Sequence, residues 1–264
     1  MYLPLIPIKR LISIACSFVT SFSFQFCKPQ LEDCFFLEND QITRSYQLDD
    51  FNQITSHLPG EYTIKQADYH RVEVSGHQRY IDSLSLHVIN KKVHLGNKSP
   101  FCQEHTNFDV TNYMTDLQNL FINEKSNIVI ENFEKQTDLS VSLTKKSFLE
   151  IKRFKGLRNL YAELSREAIV SSTSKLDTLD LIDISIAGEG RFSGFPAPAK
   201  NVAVNIEGKG YCEVYAVEKL NVVIKGNANV YAKGMPSLYK RLRLVNEVTE
   251  NKQTHPESSV ILYG

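Results

Sequence analysis

The sequence predicts an all-β protein: a parallel β-helix-like solenoid of about six repeats, preceded by antiparallel strands. Short runs alternate apolar and polar residues, as half-buried strands do, and glycine or proline separates many of these runs. In the C-terminal half the same apolar offsets recur about every twenty residues, which indicates a repeat architecture. Hydrophobic residues make up 42% of the 264-residue chain, so a sizeable core can be buried.

Six anchor residues define the repeat, and successive anchors are 21, 21, 22, 20 and 18 residues apart. The anchors are Ile122, Leu143, Leu164, Ile186, Ile206 and Ile224. Four further columns lie four and two residues before each anchor and six and eight residues after it. Of these thirty positions 27 are hydrophobic, whereas composition alone predicts about thirteen. Each repeat is therefore predicted to contain an alternating strand, a corner and a second short strand.

A unit of this size cannot bury its apolar face alone, whereas stacked units can. We expect each strand to pair in parallel with its equivalent in the next repeat, about 4.8 Å away. A β-sandwich of repeated hairpins would also explain the alternation, but it gives no reason for the recurring offsets. Asn205 and Asn221 fall on outward positions and are expected to be solvated. Glycines would permit sharp corners in the later repeats, at Gly188, Gly190, Gly208, Gly210 and Gly226.

Most of the cysteines that follow the predicted cleavage site are expected to be unpaired. Cys212 falls in an inward column, so we expect a buried thiol. In an exported chain Cys27, Cys34, Cys102 and Cys212 could pair in three ways, and the sequence leaves the pairing open. The cysteines form neither a CxxC motif nor a cluster with histidine, so no metal is predicted.

The N-terminus is typical of a secretory signal. Lys9 and Arg10 precede an uncharged run of seventeen residues that is short and polar for a membrane span. Cleavage is expected after Ser23, with an uncleaved anchor, or lipid attachment at Cys16 or Cys27, as alternatives. We therefore predict export to the periplasm, the outer envelope or the extracellular space. The predicted segments are a signal peptide (1–23), a linker (24–43), an N-terminal β-strand region (44–112), the solenoid (113–240) and a C-terminal tail (241–264).

Within the N-terminal region a hairpin is predicted for the segment SLHVINKKVHL, with Asn90 and Lys91 at its tip. This register places His87 opposite His94 on one face. A metal would need a third ligand, so a solvated pair of imidazoles is the favoured interpretation. The polar stretch from Gly96 to Asn112 is predicted to be a loop.

The chain resembles the head GIN domain family of auto-transporter adhesins over the run FPAPAKNVAVNIEGKGYCEVYAVEKLNVVIKGNANVYAKGMPSL. That family repeats an alternating strand, Gly-x-Gly, and a short strand ending near Tyr-Ala. The family's opening strands are similar to TRSYQLDDFNQITSHLPGEYTIKQADYHRVEVSG, so the resemblance extends from about Arg44 to Lys240. The first three repeats depart from the pattern because they lack Gly-x-Gly, and Ala228 replaces a second glycine. The resemblance implies a β-helix-like exported domain of the bacterial envelope with an adhesive role, and it supplies no catalytic residues.

The favoured function is an exported, non-enzymatic binding module at the cell surface or in the periplasm. Thirty Lys and Arg balance thirty Asp and Glu, and a chain of zero net charge is not expected to be a general nucleic-acid binder. The run Lys240–Arg243 alternates charge and leucine like a final strand. No catalytic, cofactor-binding or metal-binding residues are predicted, and the expected partner is a glycan or another cell-surface component.

Two other functions remain open. A carbohydrate-active β-helix enzyme would need paired carboxylates, and Glu163 and Asp183 lie on outward positions one repeat apart. Strand spacing would place them roughly 8 Å apart, as in an inverting pair, although isolated surface acids are usually solvated. A structural envelope protein would instead self-associate through the exposed strand edges at the ends of the solenoid.

Overall fold

The computed structural model describes residues 41–98, 107–243 and 259–263. In these residues the protein is all-β, as predicted, with a single short helix, α1 (Gln78–Asp82). The predicted signal peptide and Cys27, Cys34 and Cys102 lie outside the described residues. Within those residues, no helix has the length and apolar character that crossing a membrane requires.

The described residues contain 21 strands. The N-terminal ones are β1 (Gln41–Gln47), β2 (Gln53–Ser56), β3 (Gly60–Gln66), β4 (Arg71–His77), β5 (Leu84–Ile89), β6 (Lys92–Asn97) and β7 (Phe108–Met114). Then follow β8 (Asn119–Ile122), β9 (Ser126–Ile130), β10 (Phe133–Glu134), β11 (Asp138–Leu143), β12 (Phe148–Ile151), β13 (Phe154–Lys155), β14 (Asn159–Arg166) and β15 (Ile169–Ser172). The last are β16 (Leu179–Gly188), β17 (Arg191–Gly208), β18 (Tyr211–Gly226), β19 (Asn229–Lys233), β20 (Ser237–Arg243) and β21 (Ser259–Tyr263). Nineteen strands form one mostly parallel sheet, and β10 pairs with β13.

Equivalent strands of successive repeats pair in parallel, and the six anchors share one register. Ile122 is opposite Leu143, which is opposite Leu164, and the same register continues through the last three anchors. We call the two consecutive strands of one anchor a rung and name it by that anchor. The Ile122 rung is β8 and β9, whereas the later rungs share the long strands β17 and β18. The six anchors therefore lie opposite one another in neighbouring parallel strands.

The inward columns of the repeat form the core. All 27 hydrophobic column residues are buried, and none is more than 2% exposed. Of the other three positions, Ser172 and Gly194 are buried as well, whereas Gln118 is exposed. Leu117, one residue earlier, is fully buried instead. The alternation of apolar and polar residues therefore predicts which side chains are buried, except near the start of β8, where the buried residue lies one position earlier than expected.

The single residues placed by the repeat frame lie where they were predicted. Cys212 is a free, fully buried thiol, and burial raises its pKa. Asn205 and Asn221 are exposed on the outer face of their strands. A thiol without access to solvent is a small apolar core group rather than a reactive one.

The parallel stack continues before the Ile122 rung, in an order that differs from the sequence. β2 pairs in parallel with both β6 and β8, and β3 with both β7 and β9. The pair β2 and β3 therefore lies between β6 and β7 on one side and the Ile122 rung on the other. Antiparallel strands follow beyond them, with β5 on β6, β4 on β7 and β1 on β4.

The N-terminal predictions have different outcomes. β5 and β6 form the predicted hairpin, with His87 opposite His94. The prediction of a loop from Gly96 to Asn112 is wrong at its end, because β7 begins at Phe108. Asn112 interrupts the apolar alternation there; it is fully buried and, among the described residues, its side-chain amide has no hydrogen-bond partner. Because a polar residue occupies this inward position, the alternation of apolar and polar residues that predicts a strand is broken.

The stack ends in two further strands. β20 contains the run Lys240–Arg243, in agreement with its predicted strand character, and pairs in parallel with β18. β21 lies in a segment to which the sequence assigns no structure, and it pairs in parallel with β19. These strands repeat the arrangement of the rungs before them.

Candidate binding groove

A groove of about 660 Å³ crosses all six anchor rungs at the corner between their first and second strands. Two columns of side chains line it. Three residues after each anchor come Lys125, Lys146, Glu167, Glu189, Lys209 and Asn227. Five residues after each anchor come Asn127, Phe148, Ile169, Arg191, Tyr211 and Asn229. The parallel register holds the second column in line, since each of its members is opposite the next.

The groove exists because the residue between these two columns is small and buried in every rung. These residues are Ser126, Ser147, Ala168, Gly190, Gly210 and Ala228. A Cβ added to Gly210 would lie 2.8 Å from Ile186 Cγ2 and 2.9 Å from Ile206 Cγ2, closer than side chains tolerate. The backbone therefore runs close to the core at this corner, and the two longer columns stand on either side of it.

The groove carries both signs of charge. Four basic and two acidic side chains line it: Lys125, Lys146, Arg191, Lys209, Glu167 and Glu189. The Lys146 Nζ atom is 3.9 Å from Glu167 Oε2, and both side chains are well exposed, at 72% and 60%. An ion pair this open to water is weak. Lys146 and Glu167 can therefore separate from each other and bind a ligand instead.

Aromatic side chains extend from the groove across the outer face of the second strands. The Arg191 guanidinium lies 6.0 Å from the centre of the Tyr211 ring. Ring centres are 5.2 Å apart from Tyr211 to Tyr231 and 6.2 Å apart from Tyr231 to Tyr263. The Tyr211 hydroxyl donates a hydrogen bond of 2.6 Å to Glu213, which raises the pKa of Tyr211 to about 12. This tyrosine ladder (Tyr211, Tyr231 and Tyr263) reaches the last described rung.

A second groove, of about 560 Å³, lies where the first strands of the early rungs begin. Polar side chains line most of it, among them Asp116, Gln118, Asp138 and Tyr161. Hydrogen bonds from the Thr137 hydroxyl and then from the Asn159 amide hold the pKa of Asp138 below its usual value. This groove spans fewer rungs than the first and lacks basic side chains other than Lys135.

The carboxylates considered for an inverting pair lie on an open surface. Glu163 is opposite Ser185 and Asp183 is opposite Tyr161, so the two acids are one rung apart and displaced by two residues, as expected. Both side chains are exposed, and neither lines either groove described above. Without a cleft beside them, two solvated acids cannot hold a sugar ring in place for hydrolysis.

The facing histidines are in contact but form no recognisable metal site. The rings of His87 and His94 are stacked with centres 5.1 Å apart. Partial burial and the neighbouring His87 lower the pKa of His94. Among the described residues, no group of three or more His, Cys, Asp or Glu side chains is arranged to hold a metal ion.

The groove residues were not found by sequence reasoning, which followed apolar columns. The signal was nevertheless present in the same frame. Four residues after every anchor stands Ser, Ala or Gly, and three residues after every anchor stands Lys, Glu or Asn. A small buried column beside a polar column predicts a depression along a stack of strands.

Solved structures show the same fold. A protein described as a "putative adhesin" from Bacteroides fragilis matches with a TM-score of 0.72 at 15% identity, over 85% of this chain and 98% of its own. A second "putative adhesin", from Parabacteroides merdae, matches with a TM-score of 0.65 at 15% identity, over 86% and 98%. A "putative lipid binding protein" from Parabacteroides distasonis matches with a TM-score of 0.62 at 16% identity, over 86% and 98%. No curated protein sequence matches the chain.

The family match covers most of the sequence. Residues 50–236 match the family described as "Putative auto-transporter adhesin, head GIN domain". The match includes the first parallel strands, the six anchor rungs and both grooves. The resemblance noted from the Gly-x-Gly corners is therefore confirmed, and the chain belongs to the head GIN domain family.

Proposed function

We propose that the chain is an exported, non-enzymatic adhesin-like module that binds a cell-surface component along its lateral groove. In this proposal the stacked rungs are a β-solenoid that serves as a rigid scaffold. The observation that carries the proposal is the continuity of the groove across six rungs, lined by charged, amide and aromatic side chains. Surfaces of this kind bind extended ligands, because each repeat contributes an equivalent set of contacts.

Membership of an adhesin-like family supports this function over catalysis. The notable carboxylates, Glu163 and Asp183, are exposed outside both grooves. One structural neighbour is described as a "putative lipid binding protein". A lipid tail requires a mostly apolar cavity, whereas the lateral groove carries six charged side chains. We therefore favour a polar, extended ligand.

Export is tested by fractionating cells that express the chain and measuring the intact mass of the product. A chain that begins near Phe24, in the periplasm, the envelope or the medium, is the expected result. A full-length chain in the cytoplasm would contradict export and with it the adhesive role.

Binding is tested by incubating the labelled, purified chain with fixed bacterial and animal cells, with the urea-unfolded chain as the control. We expect saturable binding of the folded chain to at least one cell type, with bound material recovered uncleaved. Binding that does not exceed the control on any cell type would contradict the proposal. Release of shortened oligosaccharides would instead favour the carbohydrate-active alternative.

A further inference from the structure

We propose that the lateral groove holds a linear glycan with about one sugar residue per rung. This inference rests on the proposed binding function and names the class of ligand. It depends on three properties of the groove: its period, the chemistry of its two columns, and the two aromatic rings within it.

The period of the groove favours a glycan over a peptide. Each rung adds one member to each lining column, and parallel strands repeat about every 4.8 Å. An extended peptide advances about 3.3 Å per residue and presents alternate side chains about 6.6 Å apart, so it falls out of step with the rungs. One pyranose residue in an extended chain has nearly the length of one rung, so successive sugars can meet equivalent side chains.

The lining side chains suit hydroxyl groups. The first column offers ammonium groups, carboxylates and an amide, and the second offers two amides, a guanidinium and a phenol hydroxyl. Together these groups can donate to and accept from sugar hydroxyls. Asn127 and Asn229 occupy opposite ends of one column, with Arg191 between them. Because both donors and acceptors line the groove, no single charge on the ligand is required.

Two aromatic rings provide surfaces for the apolar faces of sugar rings. Phe148 is 38% exposed in a groove with polar neighbours, so its ring is accessible to a ligand. Tyr211 lies three rungs further along the same column and begins the tyrosine ladder. A glycan that passes both rings would stack one sugar on each.

The test is a calorimetric titration of the purified chain with cellulose-, galacturonan- and hyaluronan-derived oligosaccharides of two to eight residues. We expect one of these series to bind with an affinity that rises with each added sugar and levels off at about six residues. Phe148→Ala and Tyr211→Ala should each weaken that binding about threefold to tenfold. Tyr161→Ala is the matched control, since Tyr161 is equally exposed at 38% but lies in the other groove, and it should leave affinity unchanged.

Treatment of the cells used above separates this inference from the proposed function. Periodate, which cleaves neighbouring diols of sugars, should abolish binding of the chain to cells, whereas protease treatment should leave it intact. Binding that resists periodate but is lost after protease would overturn the glycan while leaving the adhesive function standing. An affinity that does not depend on oligosaccharide length, or that Tyr161→Ala lowers as much as Phe148→Ala, would overturn the inference as well.

Discussion

The corner that ends the first strand is built differently in the early rungs and in the late rungs. Two residues after the anchor, the Leu143 and Leu164 rungs have Lys145 and Arg166, with φ of 58° and 60°. At the same position the late rungs have Gly188, Gly208 and Gly226, with φ of 97°, 125° and 125°. The backbone hydrogen bonds continue through the change, since Glu189 N donates to Arg166 O and Lys209 N donates to Gly188 O.

Close backbone contact explains why the late rungs need glycine. A Cβ on Gly208 would lie 2.7 Å from Gly188 O, and one on Gly226 would lie 2.5 Å from Gly208 O. A Cβ on Gly188, which stacks on Arg166, would lie 3.2 Å from its nearest backbone neighbours. Where a glycine stacks on a glycine, the rungs therefore approach more closely than any side chain allows.

The early rungs stabilise the same corner with side chains. The Thr144 hydroxyl donates to Asn123 Oδ1 at 2.7 Å, and Lys145 pairs with the Glu124 carboxylate of the preceding rung. The corners of the Leu143 and Leu164 rungs thus adopt a positive φ without a glycine. Between the Ile122 and Leu143 rungs, which lack Gly-x-Gly, these side-chain contacts hold the corner.

Among substitutions at these corners, Gly208→Ala is expected to lower the stability of the protein most. The new Cβ would clash with Gly188 O, and alanine disfavours a φ of 125°, so the free energy of unfolding should fall by about 3 kcal/mol. Urea unfolding followed by circular dichroism measures it. Gly96→Ala is the control, because a Cβ there meets nothing within 4 Å, and it should change stability by less than about 1 kcal/mol. Equal effects of the two substitutions would refute close stacking.

A smaller effect is expected from Thr144→Val, which keeps the shape of the side chain but removes the hydrogen bond to Asn123. Loss of one partly buried hydrogen bond should lower the free energy of unfolding by about 1 kcal/mol. The same unfolding measurement applies, and an unchanged value would mean that side-chain contacts do not stabilise the early corners.

Arg166→Gly converts an early corner to the late type and should stabilise the protein. A left-handed conformation costs a non-glycine residue about 1–2 kcal/mol, part of which is returned as the greater backbone entropy of unfolded glycine. We expect a net gain of about 0.5 kcal/mol in urea unfolding. A loss of more than about 1 kcal/mol would show that the arginine side chain itself supports the corner.

The smallest effect is a pH dependence at Asp138. Its pKa is lowered in the folded protein by hydrogen bonds from Thr137 and Asn159, so its contribution to stability is present above the unfolded pKa of about 3.9. That contribution disappears as pH falls through the lower folded pKa. The stability advantage of the wild type over Asp138→Asn should therefore shrink between about pH 5 and pH 2. A difference that stays constant over this range would exclude the hydrogen bonds as its cause.

The sequence predicts the part of the molecule in which apolar residues recur at regular intervals. It does not predict the features that lack such a repeat. The register of the columns followed from alternation, because nearly every inward position of the later rungs holds a buried apolar side chain. β7 was missed because Asn112 is polar although it points inward. The position of β2 and β3, between the Ile122 rung and the strands β6 and β7, depends on long-range pairing. No local sequence pattern encodes such pairing. The groove arises from columns of small and polar residues, so a search for hydrophobic columns could not find it.

If the lateral groove is the binding surface, reversing two charges within it should weaken binding, and reversing two charges outside it should not. Arg191→Glu with Lys209→Glu changes the groove, whereas Lys219→Glu with Lys225→Glu makes the same charge change on the first strand and its corner, outside the groove. Both double variants should keep the circular dichroism spectrum of the wild type. We expect the groove variant to lose at least tenfold in affinity for cells, whereas the control variant should bind as the wild type does. Equal binding by the two variants would contradict this expectation.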